Sequence, residues 1–122
     1  MLAAGVSVVV PAIADYEVRR ELVRTKRNAS IRRLDILNND LGVIPVDPDV
    51  WHQAADLWAR ARNQGQPTAG PAELDGDVIL AATSIVLERQ EGEPVVVATT
   101  NVGHLSRFVT ADHWSHIAPP TV

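Results

Sequence analysis

Two short β-branched runs bracket this chain, Val6-Ser7-Val8-Val9-Val10 and Pro94-Val95-Val96-Val97-Ala98-Thr99-Thr100. Between them the apolar residues recur at helical spacing. Apolar strands without polar alternation are buried on both faces, and such strands belong to parallel sheets covered by helices. Pro11 closes the first run. Ala12 to about Lys26 then follows a helical pattern, with Ala14, Val18 and Leu22 four residues apart and no Gly or Pro inside. A second helix is expected from about Ser30, its cap, to Asn38, with Leu34, Leu37 and Leu41 facing inward. Asn39-Asp40-Leu41-Gly42 is the expected break.

Val43-Ile44-Pro45-Val46 is a short strand that Pro45 places near a sheet edge. Asp47-Pro48-Asp49 opens the next helix with an acidic cap, a proline at the first position and an acid in the first turn. Its inward face is expected to be Trp51, Ala54, Ala55, Trp58 and Ala61. Residues 63–71 form the longest loop, which delivers the chain to a further helix ending near Gln90-Glu91-Gly92. His113 to Ile117 is a last short strand, and that geometry sends His113 and His116 to opposite faces. The order is strand, helix, helix, strand, helix, helix, strand, strand, in one α/β domain with a mostly parallel sheet.

Composition narrows the function. The 122 residues are 46% hydrophobic and 21% charged, an ordinary globular balance. With no cysteine there is neither a disulfide framework nor a thiolate metal site. The apolar N-terminus lacks a charged leader region, and Pro11 cuts it short of a membrane span, so a cytoplasmic protein is expected. A net charge of −4 argues against non-specific nucleic-acid binding by the whole protein. The charge is unevenly distributed, however. Seven of the eleven Lys and Arg residues fall between Arg19 and Arg33, among them Arg20, Arg24, Lys26 and Arg27. That surface suits phosphates or an acidic partner. The alternative is a solvated helix face balanced by Glu17, Glu21 and Asp35.

The chemistry centres on Leu74-Asp75-Gly76-Asp77-Val78-Ile79-Leu80-Ala81-Ala82. Ile79, Ala82, Ile85 and Val86 mark a core helix, and its expected start near Val78 puts Asp75 and Asp77 in the first turn. There, free N–H groups and the helix dipole favour ionised carboxylates. Glu17 follows the first strand, and Asn101 lies at the carboxyl end of the strand before it. Oxygen-only ligands gathered from separate elements describe a Mg²⁺ or Mn²⁺ site, which activates water in phosphodiester hydrolysis.

Three segments carry a resemblance: Ile13-Ala14-Asp15-Tyr16-Glu17-Val18-Arg19-Arg20-Glu21-Leu22, Asp75-Gly76-Asp77-Val78-Ile79-Leu80-Ala81-Ala82 and Ala98-Thr99-Thr100-Asn101-Val102-Gly103-His104-Leu105. In order and spacing they resemble successive motifs of PIN-domain proteins, above all the VapC-like toxins of toxin–antitoxin pairs. The resemblance implies a three-layer α/β/α fold and a metal-dependent ribonuclease acting on single-stranded RNA. It also implies an antitoxin partner and a homodimer. Glu17 resembles the family's helix glutamate, Asp77 the aspartate before its Ile-Ala-Ala-like run, and Asp75 an accessory acid. Asn101 and His104 stand where the family often has an acid.

The family opens with a central strand bearing a further catalytic aspartate. This chain starts beyond it, so an N-terminally short chain is expected, through a misplaced start or a truncated gene. The competing expectation is a catalytically impaired PIN-like scaffold that binds a protein partner or RNA through Arg19–Arg33. A receiver-like signalling domain is a weaker fit, because Lys26 is the only lysine and lies early.

Overall fold

The computed structural model describes residues 8–65, 71–99 and 108–113. The elements run β1 (Val10–Pro11), α1 (Ala12–Arg24), α2 (Asn28–Leu41), β2 (Val43–Ile44), α3 (Pro48–Asn63), α4 (Pro71–Glu91), β3 (Val97–Thr99) and β4 (Ala111–His113). This is the expected order, with shorter strands, and β4 begins two residues before the expected His113. β1 pairs in parallel with β2, Val10 opposite Val43, and β3 pairs in parallel with β4, Val97 opposite Ala111. Among the described residues the two pairs are not hydrogen-bonded to each other.

Several boundaries move for local reasons. Pro11 belongs to β1 and leads directly into α1, since its fixed φ and lack of an N–H suit a helix entry. α2 starts before Ser30, without a side-chain cap, and runs through Asn39-Asp40 to Leu41. Gly42 ends it at φ 86°, a conformation open to glycine. Asp47 caps α3 as expected, its Oδ1 accepting from the Val50 N–H at 3.0 Å. No described helix is long and apolar enough to cross a membrane.

The core is the α3–α4 pair. α3 buries Val50, Ala54, Leu57 and Ala61, and α4 buries Val78, Ala81, Ala82 and Val86. Alanines on both helices allow close approach. Val46, Ile79, Ile85, Phe108 and Val109 pack around them. The expected α3 face therefore needs a correction. Ala54 and Ala61 point inward, but Trp51 and Trp58 remain 51% and 41% exposed. A close alanine-rich seam has no room for indoles, and the 4-3-4 spacing of Val50, Ala54, Leu57 and Ala61 fills it instead.

This arrangement separates two substitutions. Leu57→Ala is expected to lower unfolding free energy by about 2–5 kcal/mol through a cavity in the seam. Trp51→Ala removes more atoms but from an open position, and is expected to cost less than about 1.5 kcal/mol. Urea denaturation of both variants checks the order.

Candidate functional site

Glu17, on the second turn of α1, lies directly against α4. A methyl group placed on Gly76 would stand 2.5 Å from Glu17 Oε2. Glycine is required here for close approach, because its φ is ordinary for a helix. Arg20 Nη2 lies 4.0 Å from the same carboxylate. The structure thus brings Glu17 to the residue between Asp75 and Asp77.

The two aspartates stand differently from expectation. α4 begins at Pro71, so its unbonded N–H groups lie among residues 71–74 and neither Asp75 nor Asp77 is in the first turn. Pro71 is a favourable opening residue, and no breaker separates it from Val78. The dipole argument for these carboxylates lapses, since that effect fades beyond the first turn.

Two residues apart on a helix, their side chains also leave about 200° apart. Asp75 is exposed and lines a groove with Trp51, Trp58 and Ile79 on the α3 side. Asp77 is half-buried. Among the described residues no group of three or more His, Asp or Glu is gathered closely enough to hold a metal. The expected triad of Glu17, Asp75 and Asp77 is therefore not assembled. Asn101, His104 and His116 lie outside the described residues, as does the side chain of His113.

Three of the seven cations in the basic segment, Arg19, Arg20 and Arg24, face acids. Arg19 donates to both Asp15 oxygens at 3.1 Å and to Asp35 Oδ1 at 2.7 Å. It is committed to holding α1 against α2, not available to phosphate. Asn38 Nδ2 donates to Asp15 Oδ1 at 2.6 Å. The Arg19 hydrogen bonds hold the Asp15 carboxyl below its ordinary range; burial opposes this, and Asn38 adds to it. Arg24 pairs with Glu21 at 2.8 Å, and Arg20 sits over the Tyr16 ring at 5.3 Å. Lys26 and Arg27, at the tip of the hairpin, carry no ion pair among the described residues. The signal for this network in the sequence is spacing: Asp15/Arg19 and Asp35/Asn38 are four and three residues apart, as same-face helical neighbours are.

A chain in the solved structure of VapBC-1 from nontypeable Haemophilus influenzae superposes on this one with a TM-score of 0.72. The match covers 94% of this chain and 80% of that one, at 18% identity. The fold is PIN-like. No family model and no curated protein matches the sequence. At 18% identity the likeness is one of fold alone.

Proposed function

We propose that this chain is a Mg²⁺- or Mn²⁺-dependent endoribonuclease cleaving single-stranded RNA, the toxin half of a cytoplasmic type II toxin–antitoxin pair. The observation that carries this is Glu17 lying against Gly76, next in the chain to Asp77, in a fold shared with VapBC-1. Carboxylates are the right donors for a hard cation, and Mg²⁺ is commonly held by only one or two of them with water and phosphate completing the shell. Glu17 and Asp77 would hold the ion. Asp75, turned to the groove with Trp51 and Trp58, is left out of the ligand set.

The chemistry such an ion would supply there is activation of water and neutralisation of charge on the phosphodiester. The protein's own part is to fix Glu17 through the close contact with α4, while Arg20, Lys26 and Arg27 draw in the RNA backbone. Asn101, next but one after β3 in the chain, would orient water through its side-chain carbonyl. A protein antitoxin masks the acids, and the working unit is a homodimer.

The two separate strand pairs support one further element. We take them as halves of one sheet, joined by a strand between β1 and β3 that supplies the family's opening aspartate. Each of those strands has one edge without a hydrogen-bonded strand among the described residues.

The test is cleavage of labelled single-stranded RNA in Mn²⁺. Asp77→Asn is expected to reduce the rate at least about 100-fold, or roughly 2.7 kcal/mol of barrier. Activity retained in that variant refutes the assignment. The second reading, a non-catalytic scaffold, is favoured by the absence of a three-acid group among the described residues. It requires RNA or partner binding with no turnover at any Mn²⁺ concentration.

A further inference from the structure

Asp75, Trp51 and Trp58 have no part in the proposed metal centre, and they share one groove. Trp51, Ala54, Ala55 and Trp58 of α3 line it, together with Asp75 and Ile79 of α4. The α3 positions are i, i+3, i+4 and i+7, one continuous face beside the buried seam. Two alanines between two indoles leave a hollow of about 390 Å³, a size that suits a small organic molecule.

The groove has a charged end and an apolar end. Arg89 Nη2, near the end of α4, donates to Gln53 Oε1, near the start of α3, at 3.2 Å. The two helices are therefore antiparallel, and Asp75, early in α4, lies toward Trp58. Trp51 stands two helical turns back along α3, a distance of about 10 Å. Asp75 is the one charged residue among those that line the groove.

Charge selects the ligand. Asp75 is exposed and has neither an ion pair nor a hydrogen bond among the described residues. Arg62 lies over the Trp58 ring at 5.4 Å, so this indole already receives a cation of the chain itself, yet Arg62 forms no ion pair with Asp75. A carboxylate beside electron-rich ring faces attracts cations and repels carboxylates and phosphates. A bare metal ion or a polyamine would use Asp75 but leave the alanines and Trp51 uncovered. An apolar body with one positive charge uses both ends.

We propose that this groove binds an organic ammonium ion with an apolar body. The charge sits at Asp75 beside Trp58, and the body runs over Ala54 and Ala55 to Trp51. The ligand class is an amine carrying an aromatic or aliphatic group about 10 Å long, matched to two turns of α3. The site is independent of the nuclease reading, because Asp75 and Asp77 leave α4 about 200° apart.

The probe is phenylbutylamine, titrated into the full chain while the indole N–H resonances of Trp51 and Trp58 are followed by NMR. Both resonances should shift and saturate, with a dissociation constant on the order of 1 mM or tighter. Asp75→Asn and Trp51→Ala should each weaken binding at least about fivefold, with circular dichroism showing both variants folded. Phenylbutyrate, the same body with a negative charge, should leave both indoles unshifted, and spermidine should not displace the amine. The absence of a saturable shift overturns the proposal, as does equal affinity for phenylbutyrate or for the Asp75→Asn chain. Displacement by spermidine would reduce the site to charge alone and also overturns it. Indole shifts that follow protein concentration without ligand, matched by self-association in sedimentation, would assign the groove to a second copy instead. Asp77→Asn should bind the amine as the wild type does, so this proposal and the metal assignment fail separately.

Discussion

Gly76→Ala is expected to lower Mn²⁺-dependent RNA cleavage at least about tenfold while leaving the protein as stable as before, or more so. The two effects have separate origins. A glycine inside a helix costs about 0.5–1 kcal/mol relative to alanine, because it loses more backbone freedom on folding. Removing that cost stabilises α4. The new methyl group, however, would sit 2.5 Å from Glu17 Oε2 and 3.3 Å from its Cδ.

The obstructing atoms are the end of a flexible side chain, so Glu17 rotates away and the backbone stays. What is lost is the placement of the Glu17 carboxylate against Gly76. Melting and cleavage measured on the same preparation separate these contributions. A Gly76→Ala protein with wild-type cleavage would show that the Glu17–α4 contact has no part in the site.

Asp15→Ala is expected to cost about 2–3 kcal/mol in unfolding free energy, a large effect for a side chain outside the core. The carboxylate accepts from Arg19 and Asn38 at the centre of the α1–α2 seam, and its side chain is only 19% exposed. Removal leaves the Asn38 amide without its acceptor, in a place where Asn38 Oδ1 already has no partner. Arg19 retains Asp35, which is why the expected loss stops short of a fully orphaned charge. Because neither hairpin helix buries a residue, this polar seam does much of the work of holding the pair together.

The same network gives a pH dependence. The folded Asp15 carboxyl titrates below its ordinary value of 3.8, so the unfolded chain takes up its proton first. Its contribution is complete above the unfolded value and is lost as pH falls from near 4 through the folded value. The exposed Glu21, lowered by its hydrogen bonds to Arg24, acts in the same direction. Acid titration of stability should show a smaller decline in Asp15→Asn than in the wild type. Equal slopes below pH 4 would contradict this.

Element order was legible in the sequence because each helix carries its own period and each strand its own β-branched run. The Asp47-Pro48-Asp49 start of α3 was legible for a similar reason, since a cap is a local device. What could not be read were choices made between elements. The α3 stripe through Trp51 and Trp58 competes with one through Val50 and Leu57, a rotation of a single position. Only the closeness of the α4 alanines decides between them.

The start of α4 at Pro71 was equally hidden. Gly76 between two aspartates looks like the end of a loop, but it is helical and kept small by Glu17. Arg19 looked like one of seven similar cations, because the carboxylates that claim it come from two helices. Of the candidate site, the nearness of Glu17 to the Asp75-Gly76-Asp77 segment was legible. That Asp75 turns to the α3-side groove was not, since it depends on how α4 is rotated against α3.

Direct Mn²⁺ binding, followed by electron paramagnetic resonance of the free ion, tests the metal assignment before any substrate is chosen. Glu17→Gln and Asp77→Asn should each weaken binding at least about tenfold, and Asp75→Asn, on the groove side of α4, should leave it unchanged. Mn²⁺ affinity insensitive to both Glu17 and Asp77, or carried by Asp75 instead, would contradict the account.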